Sequence, residues 1–356
     1  MKKVISSLLI LVMAISGCSM TQPKDDIAVS ESIVTTADVT SVTTAETLAP
    51  TSTPTPTPEP EPYGFNPHVH SSLLSEVVKE EWWDSFYNMC DAMREGKDTF
   101  ECSDKAAYKW CTDEVTLGDF FPAACTLVKG DGYKDGTGRL KYKIDKESFA
   151  ARQSTFEEEI VRMVNEAVRS DYTDFEKLMA MYDYVTLNFS YDFSDIDGSN
   201  IDEFGNYACL TSKNGICCEI ADSLAYLLMQ CGVDAVSVSG YGDNMDHEWT
   251  YVVIDGKGYH VDATWALRSG DPSAPLFLTY FMQTDDERVS DGFDRDRFEV
   301  HDLSWWKKDY DKSRFAATDE KFKPLHDNAE FVSMDREKKV IKYRDIDWNV
   351  LEFPYE

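Results

Sequence analysis

The sequence predicts an α+β protein in which a cysteine-bearing helix packs on an antiparallel β-sheet, with a mainly helical region before this core and a small β-sheet after it. Three patterns support this fold class. Apolar residues recur at helical spacing through several stretches between residues 71 and 191. The stretch 217–231 is strongly amphipathic and ends at Gly232, as helices commonly do. Two alternating stretches flank Asp255-Gly256, which is a strong signal of a two-residue hairpin.

The composition favours a folded, acidic protein. The chain has 356 residues, with 35 Lys and Arg against 65 Asp and Glu and a formal net charge of −30. Its 8 Trp, 18 Tyr and 19 Phe need a packed core, which excludes a wholly disordered chain. The acid excess argues against a nucleic-acid partner and against electrostatic binding to anionic lipid, because both need a basic surface. Nine Cys are too few for a disulfide scaffold at this length.

The first 17 residues are predicted to be a signal peptide. Two lysines give a positive start, and the apolar run 4–15 is too short for a stable spanning helix. The run ends in Ile15-Ser16-Gly17-Cys18, which resembles the lipobox of bacterial lipoproteins. This resemblance implies cleavage before Cys18 and its lipidation, and two or more acyl chains anchor durably. We therefore expect a lipid anchor on the extracytoplasmic face of the cell membrane. The alternative is an ordinary secretory signal cut nearby, which also places the protein outside the cytoplasm.

Residues 18–62 are predicted to be the lipid anchor and an unfolded linker. From Thr21 to Pro62 there is no Gly, Cys or aromatic residue, so too little apolar surface is available to offset the entropy of ordering. The Thr-Pro and Glu-Pro repeats from Pro50 to Pro62 favour polyproline II, which extends on the order of 40 Å over this stretch. We expect a stalk that lifts a domain off the membrane. A motif for a proline-binding partner is the alternative.

The folded region is expected to begin at Tyr63. Its length, about 290 residues, is long for one core, and we expect a mainly helical subdomain over 63–170, a core over 171–290 and a β-rich extension over 291–356. In chain order the patterns predict helices over 71–94 and 103–110, a strand over 139–144, helices over 146–169 and 174–191, a loop over 194–213, a helix over 217–231, strands over 235–239, 247–254 and 257–264, and a small antiparallel sheet of 330–334, 340–343 and 350–353.

Cys217 is the first candidate functional residue. It follows the turn signal Asn214-Gly215 and opens the predicted helix. A thiol at a helix N-terminus lies beside unsatisfied N–H groups and the positive end of the helix dipole, and both favour the thiolate. A place at the helix start does not separate Cys217 from Cys218. The apolar stripe of the helix favours Cys217, because apolar residues follow it at positions +4, +7 and +11.

The predicted hairpin places a histidine close to a carboxylate. A two-residue loop at Asp255-Gly256 pairs Ile254 with Lys257 and makes His247 and Asp262 diagonal neighbours on one face, about 7–8 Å apart at the backbone. At that distance the carboxylate can accept a hydrogen bond from one imidazole nitrogen while the other nitrogen faces a thiol. A shift of one residue in register would put the two side chains on opposite faces.

A cysteine that starts a helix, followed by a histidine and an aspartate on adjacent strands, is typical of a nucleophile, a base and an orienting group. Three segments resemble the core motifs of the transglutaminase-like superfamily: Gly215-Ile216-Cys217-Cys218-Glu219-Ile220-Ala221, His247-Glu248-Trp249 and Tyr259-His260-Val261-Asp262-Ala263-Thr264-Trp265. Further segments resemble its flanking helix and strand: Tyr182-Asp183-Tyr184-Val185, Ser190-Tyr191-Asp192 and Leu278-Thr279-Tyr280-Phe281-Met282. The resemblance covers residues 175–290. Three core motifs in order are more specific than any one alone.

This resemblance implies a papain-like fold and acyl-transfer chemistry. Cys217 would be the nucleophile, His247 the general base and acid, and Asp262 the orienting carboxylate. The cysteine would attack an amide carbonyl, form a thioester and pass the acyl group to water or to an amine. The backbone N–H of Cys217 is one candidate oxyanion donor, and Tyr207 in the preceding predicted loop is a candidate for the second.

The sequence departs from the family pattern at three positions. Glu248 and Thr250 stand where the family more often has a small residue and an Asn after the histidine. Cys218 stands where a Gln or a small polar residue is commoner. These departures bear on the choice of substrate more than on the chemistry.

Several other patterns have two interpretations. Cys217 and Cys218 with His247 suggest zinc, but adjacent cysteines lack the usual ligand spacing, so we expect no metal and no cofactor. His260 shares the predicted face of Asp262 and is interpreted as a neighbour rather than a catalytic group. The acidic segments 192–202 and 291–296 lack the EF-hand pattern and are interpreted as solvated loops rather than calcium sites. Spacing does not reveal whether disulfides join Cys90, Cys102, Cys111 and Cys125.

We therefore expect a surface lipoprotein that carries a thiol enzyme acting on amide bonds of a protein or peptide, with cell-wall peptide as one candidate. Hydrolysis by a protease or peptidase is favoured, because water is always available outside the cell and excluding it needs a dedicated amine tunnel. Two alternatives stay open: a protein-glutamine γ-glutamyltransferase that cross-links proteins, and a non-catalytic binding module with a relic triad. The intact Cys217, His247 and Asp262 argue against the binding module.

Overall fold

The computed structural model describes residues 59–193, 205–242, 245–306 and 309–356. The predicted signal peptide (1–17), the predicted lipidation site Cys18 and nearly all of the predicted linker (18–62) lie outside these residues, as does most of the acidic segment 192–202. Across the described ranges, no helix combines the length and apolar character needed to cross a membrane.

Seven of the nine α-helices in the described residues precede the first strand of the central sheet in the chain, and two follow its hairpin. In chain order they are α1 (Glu80–Arg94), α2 (Lys105–Cys111), α3 (Glu114–Phe120), α4 (Lys146–Ala167), α5 (Asp174–Asn188), α6 (Gly205–Ser212), α7 (Cys217–Gln230), α8 (Asp285–Ser290) and α9 (His301–Trp306). Aspartates accept hydrogen bonds from the first turns of α2, α3 and α4, and Thr173 and Thr284 start α5 and α8 with reciprocal capping boxes. Such caps satisfy the N–H groups that a helix start leaves free.

The strands form one central sheet and smaller ones. They are β1 (Thr99–Glu101), β2 (Val128–Lys134), β3 (Thr137–Tyr142), β4 (Ser190–Tyr191), β5 (Asn214–Gly215), β6 (Ala235–Tyr241), β7 (Asp246–Ile254), β8 (Lys257–Val261), β9 (Glu299–Val300), β10 (Glu330–Asp335), β11 (Val340–Arg344) and β12 (Val350–Pro354). The central antiparallel sheet has the order β8-β7-β6-β9, and the other sheets are β1-β3-β2, β10-β11-β12 and the parallel pair β4-β5.

The predicted fold class is confirmed, because the cysteine-bearing helix α7 packs on the antiparallel strands β6 and β7. A buried hydrogen bond joins them: the Thr250 hydroxyl on β7 donates to the carbonyl of Ala221 on α7 at 2.9 Å. The hairpin register is also confirmed, since Ile254 pairs with Lys257 around the Asp255-Gly256 turn. The side chains of α7 and the sheet form one continuous apolar core with those of α1, α4 and α5.

Several predicted elements are wrong in extent or kind. The predicted loop 194–213 contains helix α6, whose first N–H is capped by the distant Glu219 at 2.7 Å, a contact that local sequence does not reveal. The predicted strand 257–264 ends at Val261, because the Asp262 carboxylate accepts from the backbone of Trp265 and starts a 3₁₀ turn. The motif 278–282 forms no strand; a turn from Leu278 to Phe281 interrupts it.

The predicted helix ends also shift. The stretch 71–94 is a 3₁₀ turn followed by α1 from Glu80, because Ser71 and Ser72 bond to Asp234 of the core and hold the chain there (Ser71 Oγ to Asp234 Oδ1, 2.6 Å). The stretch 174–191 is helical only to Asn188, and its last two residues form β4. In β4, Tyr191 pairs with Gly215 of β5, so this strand lies directly beside the start of α7.

The predicted C-terminal sheet is confirmed, and it is tied to α5 through a buried carboxylate. Glu176 of α5 accepts from the Tyr355 hydroxyl at 2.6 Å, Arg336 Nε at 3.0 Å and Lys339 Nζ at 3.0 Å. Burial raises the pKa of Glu176, but these donors and the Thr173 backbone outweigh it and hold the pKa at about 2. The carboxylate is therefore charged and paired on all sides.

Candidate active site

Cys217 is the first residue of α7, as the sequence predicts. Glu219 caps the helix: one carboxylate oxygen accepts from the backbone of Ile216 at 3.0 Å and the other from Gly205 at 2.7 Å. Gly215 is required here, because a Cβ would lie 2.8 Å from Cys209 Sγ and 2.9 Å from Glu219 Oε2. Cys217 is half-buried and its thiol is free.

His247 and Asp262 meet at the other side of the site. His247 Nε2 donates to Asp262 Oδ2 at 2.7 Å, and both side chains are buried. Since Nε2 is used in this way, Nδ1 is the nitrogen left to face the Cys217 thiol, which interacts with His247. Asp262 is itself held by backbone groups: its N–H donates to the Tyr280 carbonyl at 2.9 Å, and its Oδ1 accepts from Trp265 N at 3.2 Å. The structure thus brings the three predicted residues together, with Cys217 and His247 in one cleft and Asp262 bonded to His247.

The electrostatics of the His247–Asp262 pair favour its ionised form. Burial lowers the pKa of His247, but the Asp262 carboxylate and Cys217 outweigh it and raise the pKa to about 9. Burial raises the pKa of Asp262, but His247 and Arg288 outweigh it and lower the pKa below its ordinary value. Near neutral pH the site therefore stabilises an imidazolium beside a carboxylate, which is the state that a thiolate partner requires.

Arg288 of α8 is part of this site, and the sequence reasoning missed it. Its guanidinium is fully buried and donates to Asp262 Oδ2 at 3.0 Å through Nη2. The other amino group, Nη1, donates to Gln283 Oε1 and Asp291 Oδ2, each at 3.2 Å. One local signal was available: Thr284 and Glu287 have the spacing of a capping box, which predicts a helix start just before Arg288.

Aromatic rings enclose the imidazole and the guanidinium. The Trp265 ring stacks on His247 with centroids 4.7 Å apart and planes 11° apart, and the Phe293 ring lies 6.0 Å from His247. The same two rings and Trp249 lie within 4.9 Å of the Arg288 guanidinium carbon. This packing restricts the His247 ring to one plane. Gly240 makes room for the Trp249 ring, because a Cβ at this position would come within 2.1 Å of that ring.

Cys217 and His247 open onto a cleft of about 520 Å³. Its apolar lining comes from Tyr191, Phe193, Met245, Trp265 and Leu267, with Asp246, Ser190, Thr264 and Ser269 as polar lining. The Tyr191 hydroxyl contacts both the thiol and the backbone N–H of Cys217, and burial raises the pKa of Tyr191 to about 12, so it stays a hydrogen-bond donor. Tyr191 is thus placed where an oxyanion donor is needed.

The structure does not place Tyr207, the sequence-based candidate for an oxyanion donor, in the cleft. Tyr207 lies on α6, where its ring is 3.4 Å from the Arg152 guanidinium carbon and 5.4 Å from the Phe156 ring. The prediction is wrong because residues 205–212 form a helix whose tyrosine faces α4. Tyr191 is the donor that the structure places in the cleft instead. Its segment, Ser190-Tyr191-Asp192, resembles the family, but that resemblance assigns no role to the tyrosine.

Cys218 and His260 do not line the cleft of Cys217 and His247. Burial raises the pKa of Cys218 well above its ordinary range, and Asp222 and Glu248 add to the effect, so this thiol is held neutral. His260 accepts from Trp249 Nε1 at 2.8 Å and donates to Asp285 Oδ1 at 2.8 Å, so both of its nitrogens are used. His260 is therefore a neighbour of the site, as the sequence reasoning favoured.

The remaining cysteines of the described residues are free thiols: Cys90, Cys102, Cys111, Cys125, Cys209 and Cys231. Burial raises the pKa of each of them, which leaves them less reactive than an activated thiol. One group with metal-ligand spacing occurs in the described residues, Asp119 with Asp222 and His301, and neither Cys217 nor Cys218 belongs to it.

Comparison with known proteins gives the class of this domain. Residues 161–263, which contain Cys217, His247 and Asp262, match the transglutaminase-like superfamily. The chain therefore carries a transglutaminase-like domain, and the resemblance seen in the sequence is confirmed. No curated protein matches the chain.

Three solved structures are similar to parts of the chain. A TGase is 15% identical with a TM-score of 0.29, over 41% of this chain and 46% of that protein. A "putative cysteine protease" from Cytophaga hutchinsonii is 15% identical with a TM-score of 0.22, over 38% of this chain and 61% of that protein. A "putative protease" from Parabacteroides distasonis is 16% identical with a TM-score of 0.24, over 38% of this chain and 36% of that protein. The chain spans less than two thirds of the length of each.

Proposed function

We propose that this protein is a lipid-anchored thiol hydrolase on the extracytoplasmic face of the cell membrane, and that it cleaves amide bonds of proteins or peptides. One observation carries the proposal: Cys217, His247 and Asp262 are brought together in that order, with His247 bonded to Asp262 and interacting with the Cys217 thiol, and the thiol lies in a cleft. A nucleophile, a base and an orienting group in contact are the parts that acyl transfer needs.

In the proposed acylation step, His247 Nδ1 takes the Cys217 proton and the thiolate attacks the amide carbonyl. A carbon–sulfur bond forms, and the negative charge moves to the carbonyl oxygen. The backbone N–H of Cys217 and the Tyr191 hydroxyl donate to this oxygen. The carbon–nitrogen bond then breaks, and the imidazolium gives its proton to the leaving amine. The proton on His247 Nε2 stays there throughout, because its hydrogen bond to the Asp262 carboxylate holds the ring in this orientation.

In the proposed deacylation step, water replaces the amine. The now neutral His247 takes a proton from water as its oxygen attacks the thioester, and the carbon–sulfur bond breaks. Cys217 leaves as a thiolate, the product is a carboxylic acid, and the imidazolium is restored beside it. Water access supports hydrolysis over amine transfer: among the residues that the structure describes, Phe193 on the cleft wall is 89% exposed and no enclosed amine tunnel forms.

Thiol reactivity tests the chemistry without a known substrate. Iodoacetamide near neutral pH is expected to alkylate Cys217 much faster than the other cysteines, with peptide mass spectrometry to assign the sites. Cys218→Ala is the matched control and should leave the fast reaction unchanged, whereas Cys217→Ala removes it. Equal rates at all cysteines would contradict an activated Cys217 and favour the non-catalytic binding module.

Three further measurements test the reaction, the substrates and the location. A fluorescent primary amine supplied with a glutamine-rich protein should not be incorporated if hydrolysis dominates, and its incorporation would instead support the cross-linking alternative. A comparison of new protein N-termini on cells with wild-type or Cys217→Ala protein should reveal the cleaved substrates, cell-wall peptide being analysed separately. Cys18→Ser should release the protein from the membrane fraction; retention would contradict the lipid anchor.

A further inference from the structure

The cleft that holds the Cys217 thiol has mostly apolar walls. Three segments that are distant from one another in sequence supply the apolar side chains, which are those of Tyr191, Phe193, Met245, Trp265 and Leu267. Phe193 is exposed and the other four are half-buried, so each keeps apolar surface in contact with water. Covering such surface with another apolar group is favourable. The cleft therefore offers both room and surface for a large apolar side chain of a ligand.

These apolar walls begin at the reacting groups. The Tyr191 hydroxyl contacts the Cys217 thiol, and the Trp265 ring stacks on His247 with centroids 4.7 Å apart. The rings of Tyr191 and Phe193 lie beside each other, with centroids 4.9 Å apart. A peptide whose carbonyl reaches the thiol must pass these rings. Its residues next to that carbonyl are therefore the ones that meet the apolar walls.

One carboxylate gives the cleft wall its charge. Asp246, exposed at the first position of β7, is the only acidic residue that lines the cleft among the described residues, and none of those lining residues is a Lys or Arg. Arg268 is turned away, although its chain neighbours Leu267 and Ser269 line the cleft. Its guanidinium donates to the carbonyl and the carboxylate of Asp183, at 2.7 Å for the carbonyl, and its side chain is only 10% exposed.

The charge around the cleft favours a cationic ligand. A Lys or Arg side chain of a bound peptide can pair with Asp246, whereas an acidic side chain at the same place meets a like charge. The formal net charge of −30 acts in the same direction at longer range and speeds the approach of cationic peptides. Aromatic walls suit the same ligand, because ammonium and guanidinium groups also bind the faces of rings.

We propose that the cleft selects peptides in which a large apolar side chain and a Lys or Arg lie within a few residues of the carbonyl that reaches Cys217. Phe193, Met245 and Leu267 would contact the apolar side chain, and Asp246 the basic one. As a definition of the substrate class, this selection rests on the proposed function. As selectivity in binding, it does not.

The binding test uses the full chain with Cys217→Ala, so that no peptide is turned over. Capped heptapeptides of Gly and Ser, each with a neutral fluorophore, differ only at two adjacent central positions, which are Phe and Lys, Phe and Glu, or Ser and Lys. Fluorescence anisotropy gives each Kd. We expect the peptide with Phe and Lys to bind at least about tenfold more tightly than either of the others. Salt should weaken the preference for Lys over Glu and leave that for Phe over Ser, because it screens only the ionic contact.

Variants separate the two parts of the proposal. Asp246→Asn should reduce the preference for Lys over Glu at least about threefold and keep the preference for Phe over Ser. Leu267→Ser should have the opposite effect, and Leu267→Met should restore the preference for Phe. The matched control is Asp84→Asn, which makes the same chemical change at an exposed position of α1 outside the cleft lining, and it should bind all three peptides as the parent does. Circular dichroism checks that each variant folds.

Three binding results would each overturn the proposal: equal binding of the three peptides, no binding of any of them, or an effect of Asp84→Asn as large as that of Asp246→Asn. Turnover is measured separately, by mass spectrometry of a synthetic peptide mixture treated with the wild-type chain. Cleavage sites should be enriched in Lys or Arg together with large apolar residues. Selective binding without cleavage would contradict the proposed hydrolysis alone, whereas cleavage without this enrichment would contradict the selection alone.

Discussion

Two buried histidine–carboxylate pairs lie side by side on one face of the central sheet, and only one of them faces a cysteine thiol in a cleft. His247 bonds to Asp262 at 2.7 Å, and His260 bonds to Asp285 at 2.8 Å. Trp249 joins them, since its ring packs near His247 and its N–H donates to His260. The bond lengths and burial of the pairs are alike. Their surroundings are what separates them.

The difference lies in the second nitrogen and in the neighbouring charges. The second nitrogen of His247 faces the thiol of Cys217, whereas that of His260 is occupied by an indole N–H, a group that can only donate. Burial lowers the pKa of both histidines, but Asp262 and then Cys217 raise the pKa of His247 to about 9. At His260 the effect of Asp285 does not outweigh burial and the nearby Arg288 and Arg295, so the pKa of His260 is lowered. A buried histidine beside a carboxylate is therefore not sufficient to identify a base; the atom on the other side of the ring decides.

Replacing each histidine in turn gives the largest expected contrast. His247→Gln should lower kcat at least about 10⁴-fold, because His247 is the base that interacts with the Cys217 thiol. His260→Gln should leave kcat near the wild-type value, because His260 contacts neither the thiol nor the cleft wall. Release of amines from a fluorogenic peptide library measures both. Similar losses in the two variants would show that the pairs act as one unit and would break the distinction.

Replacing the carboxylates Asp262 and Asp285 should also affect kcat unequally, by a smaller factor than replacing the histidines. Asp262→Asn is expected to lower kcat about 10³- to 10⁴-fold, because an amide can present N–H to His247 Nε2 and favour the wrong tautomer. The alkaline limb of kcat/KM, expected at about 9 in the wild type, should also move to lower pH as the pKa of His247 falls. Asp285→Asn is the control and should leave that limb unmoved. A limb that stays in place in Asp262→Asn would contradict the role of this carboxylate.

Arg288 donates to the carboxylate of only one of the two pairs, and we expect it to position that carboxylate. Arg288→Gln should lower kcat by roughly 10- to 100-fold with little change in KM. The reason is that Asp262 Oδ2, which accepts from His247, loses its other donor. Stability should fall by about 3–5 kcal/mol, because buried carboxylates lose their partner. Urea unfolding and steady-state kinetics measure the two effects.

Arg336→Gln is the matched control for Arg288, because Arg336 also pairs with a buried carboxylate, that of Glu176, away from the cleft. It should lower stability and leave kcat unchanged. Arg288→Lys keeps the charge and should recover part of kcat. If Arg288→Gln lowered stability and left kcat unchanged, as is expected of Arg336→Gln, the role of Arg288 would be structural only.

The sequence was informative where the determinants are local. The Asp255-Gly256 turn fixes the register of β7 and β8, so the sequence alone predicts that His247 and Asp262 lie near each other. The Asn214-Gly215 turn and the apolar stripe likewise place Cys217 at a helix start. These predictions depend on residues within a few positions of one another, for which periodicity and turn chemistry are reliable guides.

The rest of the site depends on long-range contacts that no local pattern encodes. Arg288 reaches Asp262 from 26 residues away, and Gly205 is capped by Glu219 from 14 residues away, so both the arginine and helix α6 were missed. Tyr191 reaches Cys217 only because β4 pairs in parallel with β5. The role of Tyr207 was misassigned for the same reason, since its side chain is placed by packing against α4.

The pH dependence of stability should have opposite signs for the two histidines. The pKa of His247 rises on folding from an ordinary value of 6.5 to about 9, so its stabilising contribution is complete below about pH 6.5 and is lost as the pH rises to about 9. The pKa of His260 falls on folding, so its contribution is present above about pH 6.5 and is lost as the pH falls below that value. Melting temperatures of His247→Gln and His260→Gln, measured from about pH 5 to 9.5 beside the wild type, test this. The wild type should exceed His247→Gln most at the acidic end and His260→Gln most at the alkaline end, by a few degrees in each case. If the differences in melting temperature between the wild type and both variants decreased with the same change of pH, the pKa values of the two imidazoles would shift in the same direction on folding. The contrast between the pairs would then rest on geometry alone.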